Sequence, residues 1–169
     1  MCEKDYRKMP VAVANSQSSR YELRQIGTED WATIKAMVPA IHAESRYRDS
    51  KLSIEKVHGL FEDTLQNKNQ CCFLLWKDSQ CIGLFAGIAI AHFFTDDVYA
   101  SDLMFYVIPE QRKTRAALLL VRAFERWATM LNCVEISVGI STDVETEKVA
   151  KFYEKLGYKR NAIGLRKEI

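Results

Sequence analysis

Between Gly87 and Gly139 the chain contains no glycine. The gap matters because it includes residues 109–120, PEQRKTRAALLL, which have the outline of a strand's end, a tight basic loop and the first turns of a helix. Phosphate-binding turns of that outline are usually built on glycine. Metal-binding patterns are missing too. The five cysteines, Cys2, Cys71, Cys72, Cys81 and Cys133, fall in no CxxC or Cys/His zinc spacing, so no metal is expected. Their number is odd, and adjacent Cys71 and Cys72 would point to opposite faces of a strand, which fits buried thiols in a reducing compartment. A net charge of +2 is too small to act as an electrostatic footprint for a polyanion. The N-terminus lacks the apolar segment of a signal peptide. The longest apolar-looking run, CIGLFAGIAIAHFF, is too short and too broken by glycine to span a membrane. A cytoplasmic protein with neither membrane nor nucleic-acid partner is expected.

What is present describes a globular domain. The 169 residues suffice for one core, and 48% apolar with 27% charged residues is an ordinary soluble composition. Residues 1–20 carry little periodicity, end in NSQSSR and read as a loosely held leader. Residues 21–169 form the expected domain, without linker, repeat or low-complexity tract.

The pattern YELRQIG alternates like a strand. TEDWATIKAMVPAIHAES begins a helix, with Thr28 as cap and Pro39 expected to kink or end it. A second helix follows from the helical spacing of Ile54, Val57, Phe61 and Leu65. CCFLLWKDSQCIGLFAGIAI reads as a hairpin turning at KDSQ, and VYASDLMFYVIP as a strand ended by Pro109. A third helix, roughly Arg115 to Leu131, carries a wide apolar stripe from Ala117 to Leu131. CVEISVGI alternates as a strand over residues 133–140. Thr142 and Glu145 have capping-box spacing for a fourth helix stopped by Gly157, and AIGLRKEI reads as a last strand. The expected fold is α/β (α+β): a mixed, mostly antiparallel sheet of six or seven strands flanked by four helices, with one parallel pair joined by a right-handed crossover.

Two fragments in this order resemble the GNAT superfamily of acyl-CoA-dependent N-acyltransferases. FYVIPEQRKTRAALLL matches the family's Gln/Arg-x-x-Gly-x-Gly/Ala signature at Arg112, Arg115 and Ala117, and VAKFYEKLGY resembles its Tyr-Glu-Lys-Leu-Gly-Phe helix. HAESRYRDSKLS is also similar to a branch common among tailed-bacteriophage and prophage acetyltransferases. The resemblance covers residues 21–169 and implies acetyl-CoA as co-substrate, a splayed parallel strand pair aided by a bulge, and transfer of acetyl to a primary amine.

The loop residues Gln111, Arg112, Lys113, Thr114, Arg115, Ala116 and Ala117 open a helix, whose free N–H groups and dipole make a ready anion site. They read as a pyrophosphate cradle, or else as a solvated basic turn. Glycine is needed for φ > 0 or for close approach of a ligand; with a negative φ, Arg115 can present its amide to phosphate and turn its guanidinium outward to add a charged contact. Alternatively, Arg115 blocks the seat and leaves a non-catalytic binding or structural protein of the same fold. The resemblance places the pantetheine arm on the main chain of Phe105, Tyr106 and Val107, and aligns Thr146 with the family's asparagine.

An attacking amine must lose a proton and the departing thiolate must regain one. By resemblance Tyr153 is the general acid; its other reading is a tyrosine at the edge of the apolar stripe of Val149, Phe152 and Leu156. Asp102 and Glu135 are candidate bases, equally readable as ordinary paired or solvated acids, and His42 and His92 are alternatives of suitable intrinsic pKa. The acceptor pocket is expected around HAESRYRDSKLS: Glu44 and Asp49 suit a cationic amine, while Arg46, Tyr47 and Arg48 suit an acidic group, and the mixture decides nothing. The expected partner is a small-molecule or peptide amine, with a homodimer left open.

Overall fold

The computed structural model describes residues 21–141, 145–162, 164, 165 and 167. The leader read over residues 1–20 and the cap read at Thr142 lie outside them. The elements run β1 (Tyr21–Gln25), α1 (Trp31–Glu44), α2 (Ile54–Gln66), β2 (Gln70–Lys77), β3 (Gln80–Ala91), β4 (Val98–Val107), α3 (Ala116–Met130), β5 (Glu135–Ser137) and α4 (Thr146–Lys155). Single turns of 3₁₀ helix at Thr28–Asp30 and Pro109–Gln111 lead into α1 and α3. The sheet order is β1-β2-β3-β4-β5, antiparallel except for the β4–β5 pair.

Each face of the sheet carries its own core. On one face Cys71, Phe73, Leu75 and Phe85 pack against Leu120, Phe124 and Trp127 of α3 and Tyr153 of α4. On the other, Cys72, Leu74 and Leu84 pack against Ile34 and Val38 of α1 and Phe61 of α2. Strand β2 is therefore buried on both sides, which explains its unbroken apolar run. Burial pushes the Cys72 thiol up to about 12, so it stays protonated and inert. Helix α3 sits close to the sheet at Gly87, where an added Cβ would lie 2.3 Å from the Phe124 ring. Fully burying Phe124 there needs a residue without a side chain on β3. Asn132, in the left-handed region at φ 57, ends the helix, and Cys133 N–H returns to Ala128 O at 3.0 Å.

The β2–β3 hairpin turns at Asp78 and Ser79, both with positive φ, as a two-residue loop of the primed type. Beneath β1, buried Asp30 accepts Arg24 Nη1 at 2.5 Å, Arg24 Nη2 at 2.7 Å and Gly27 N–H at 2.8 Å. Burial drives the Asp30 carboxyl up, but the Arg24 bonds and the Gly27 amide outweigh it and leave it below the usual range.

Several sequence expectations are corrected. Gly27, not Thr28, stands at the N-cap of the first helical turn. Helix α1 runs through Pro39 to Glu44, because Pro39 is on an exposed face where the carbonyl it leaves unpaired can meet water. Glu145 is the N-cap residue of α4, in the left-handed region at φ 48, rather than the third residue of a capping box. Strand β5 is three residues long instead of spanning 133–140. The described residues among 162–169 carry no strand, so the sheet has five strands rather than six or seven.

Candidate active site

The site begins where the two parallel strands part. β4 and β5 are paired only from Tyr99↔Glu135 to Ser101↔Ser137. Beyond Ser101, β4 continues to Val107 with β3 as its strand partner and its other edge open among the described residues. Asp102 lies opposite Gly87 and Met104 opposite Ala86, so Leu103 is an extra residue, a bulge at the point of divergence. Ile108 N–H donates to Ile82 O, and by strand alternation Tyr106 also faces β3. The polar groups of Phe105 and Val107 therefore face the open edge. The Val107 carbonyl accepts Arg112 Nε at 2.9 Å.

Above that edge stands the glycine-free turn. Thr114 Oγ1 donates to Gln111 O at 2.7 Å and accepts Ala116 N–H at 3.2 Å, closing the turn with a side chain. Arg115 has φ −73 and ψ −4, ordinary helical geometry that needs no glycine. Lys113, Thr114 and Arg115 are exposed. Among the described residues, the N–H groups of Lys113, Arg115, Ala117 and Leu118 have no protein partner, as at any helix mouth. The Glu145 carboxyl, at the N-cap of α4, is held low first by the Lys148 side chain and then by Lys113 and Arg112. Arg112 is used internally: its Nη2 meets Glu44 Oε2 at 2.5 Å, and its guanidinium lies 5.7 Å above the Tyr106 ring. Gln111 accepts Lys77 Nζ at 3.3 Å.

A cleft of about 1200 Å³ lies between β5, α4 and the chain after it, with Asp102, Glu135, Thr146 and Tyr153 in its lining and none of residues 103–118. Tyr153 is only 5% exposed and rests among Phe105, Phe152 and Tyr158. Burial, reinforced by Asp102, Tyr158 and Glu125, pushes its hydroxyl far above the usual tyrosine value, so it stays protonated. Burial also raises the Asp102 carboxyl, against the lowering effect of the Gly139 N–H that donates to its Oδ1 at 2.8 Å.

The acceptor residues read from sequence separate. Arg46 reaches the cleft lining, with its guanidinium 4.8 Å over the Tyr47 ring and bonded to the Tyr47 hydroxyl at 2.5 Å. Glu44 is tied to Arg112, and His42 lies in the last turn of α1, its carbonyl accepting Ser45 N–H and Oγ–H. Asp49 is exposed in the following loop. His92 stacks on Tyr99 at 4.7 Å beyond the far ends of β3 and β4 and bonds Asp97 O, a hairpin closure away from the cleft. Glu125, Tyr158 and Arg160 line the cleft without having been singled out. Tyr158 directly follows the Gly157 stop, which was the available signal; burial and the neighbouring Glu125 raise its hydroxyl. Arg160 binds Glu147 and Glu154 at 2.8 and 2.7 Å, so those carboxylates are spoken for. No group of metal-ligating side chains occurs among the described residues.

The parallel β4–β5 pair parts beside a bulge, with β4 running on to the turn that opens α3. The profile of the acetyltransferase (GNAT) family matches residues 34–158, and the chain belongs to that family. No curated protein matches the sequence. Among solved structures, aminoglycoside N-acetyltransferase AAC(6')-Iy, in complex with the bisubstrate analog CoA-S-monomethyl-acetylneamine, is 19% identical with a TM-score of 0.67, the match covering 88% of this chain and 99% of that one. A putative acetyl transferase from Pyrococcus furiosus is 22% identical, TM-score 0.66, covering 88% and 99%. Glucosamine-6-phosphate N-acetyltransferase from Arabidopsis thaliana is 12% identical, TM-score 0.67, covering 88% and 97%. At these identities the likeness is one of fold.

Proposed function

We propose that the protein transfers acetyl from acetyl-CoA to a primary amine by direct attack within a ternary complex. The observation that carries this reading is that Asp102 and Tyr153 line one cleft, with Asp102 one residue beyond the last β4–β5 pair. Acetyl-CoA supplies the activated acyl thioester. The N–H groups of residues 113, 115, 117 and 118 seat its diphosphate, and the open edge at Phe105 and Val107 pairs with the amides of its arm, as an added strand would. The acceptor nitrogen gives its proton to a cleft carboxylate, Asp102 or Glu135, directly or through water, as the N–C bond forms. Tyr153 gives its proton to sulfur as the C–S bond breaks. Its raised pKa keeps that proton in place until then.

Two structural neighbours support an amine acceptor: one is an aminoglycoside N-acetyltransferase and one a glucosamine-6-phosphate N-acetyltransferase. A second reading, a binding or structural protein that keeps the fold without turnover, draws on Arg112, whose guanidinium is committed to Glu44 and Val107. Thermal melting with acetyl-CoA separates them in part, since a ligand at 100 times its Kd adds about 2.7 kcal/mol. Incubation with labelled acetyl-CoA and a panel of polyamines, amino sugars, peptides and modified nucleobases then decides turnover. No stabilisation and no transferred label defeats the enzymatic reading.

A further inference from the structure

The bond between Asp102 and Gly139 has no counterpart in the ordinary ladder. Ser101 and Ser137 are the last paired residues, and the next link between the strands is made by a side chain, Asp102 Oδ1 to Gly139 N–H, across 37 residues of sequence. The bulge at Leu103, in the β3–β4 pairing, falls two residues after the last β4–β5 pair. A Cβ added at Gly139 would meet nothing nearer than Asp102 Oδ1 at 3.9 Å, so the space beside that residue is open. The link between Gly139 and β4 is the 2.8 Å hydrogen bond to Asp102 Oδ1.

We propose that Asp102 is a positioning residue: its carboxylate clasps the Gly139 amide and so sets how far β4 and β5 stand apart at the cleft. The inference rests on the acetyltransferase reading above, in which that gap receives the arm of coenzyme A. A ladder pair at this place would close the gap, and no link at all would leave β5, only three residues long, to fray from its end. A side-chain link from one residue past the last pair on β4 to two residues past it on the β5 side does neither. This role needs an oxygen acceptor at the reach of an aspartate and does not need its charge, which separates it from proton transfer.

Asp102→Asn keeps the acceptor and loses the charge; Asp102→Leu keeps the bulk and loses both, with Asp102→Ala as a substitute if the leucine variant does not fold. Two readouts are taken, hydrogen exchange at the Gly139 amide and calorimetric titration with coenzyme A. Exchange should stay slow in the parent and in the asparagine variant and speed up about tenfold or more in the leucine variant. Coenzyme A should bind the asparagine variant within about threefold of the parent and the leucine variant about tenfold more weakly. Rescue by asparagine is the signature that a charge-dependent role would not give. Equal Gly139 exchange in parent and leucine variant overturns the clasp, as does equal coenzyme A affinity. If the parent itself binds no coenzyme A, the acetyltransferase reading fails, while the exchange experiment still decides whether the clasp exists.

Discussion

Replacing Arg115 asks directly whether a turn without glycine can seat a diphosphate. Its φ of −73 means that glycine's extra conformations are not in use, so Arg115→Gly gains nothing in geometry and loses a cation. A hydrogen bond to a charged group contributes about 1.5–3 kcal/mol. Arg115 is exposed, and solvent screening reduces this towards ~1 kcal/mol. That corresponds to roughly a five- to tenfold rise in the Kd for coenzyme A in Arg115→Ala and Arg115→Gly alike. The difference from the parent should shrink at high salt, because an exposed cation is screened. Isothermal titration of the three proteins at low and high salt is the assay, with thermal melting to show that both variants remain folded. Unchanged affinity in Arg115→Ala would show that the guanidinium does not touch the ligand. Tighter binding in Arg115→Gly would show that the side chain obstructs the seat, and would favour the non-catalytic reading.

Tyr153→Phe should lower kcat by about 10²- to 10⁴-fold, the usual worth of a positioned acid, while coenzyme A affinity stays near the parent value by titration; an unchanged kcat would remove Tyr153 from the chemistry. Gly87→Ala should destabilise the fold by about 1–3 kcal/mol in urea unfolding, because the new Cβ meets a Phe124 ring already stacked on Phe85 at 4.4 Å. Asp30→Asn should cost about 3 kcal/mol at neutral pH by leaving Arg24 without its buried carboxylate partner, since Glu29 at 3.7 Å and Glu22 at 3.9 Å are more exposed. Since the folded-state pKa of Asp30 is depressed, its contribution is present above the unfolded aspartate value, about 3.9, and is lost as the pH falls through the lower folded value. The gap between parent and Asp30→Asn should therefore narrow in acid, and a gap that is constant with pH would refute the assignment.

Local patterns in the sequence were enough for most elements. The apolar stripe of α3 appears as the buried set Leu120, Val121, Phe124, Trp127 and Ala128. Adjacent Cys71 and Cys72 fall in different cores, as period-two alternation requires. Capping and breaking signals were less reliable, as Pro39 and Glu145 show, because exposure and the neighbouring chain decide whether such a residue stops a helix.

The sequence by itself determined the order of elements and the run of residues that opens α3, since both depend on spacings of a few residues and on intrinsic backbone preference. The tertiary structure alone decided what those residues do with their side chains. Arg112, legible as a phosphate ligand, finds Glu44 from 68 positions away, and Asp102, legible as a base, finds the Gly139 amide 37 positions on. Such partners are set by strand register, by the bulge at Leu103 and by how α1 crosses the sheet. None of these leaves a periodic trace in the chain, because each is a balance of packing and closure over the whole domain.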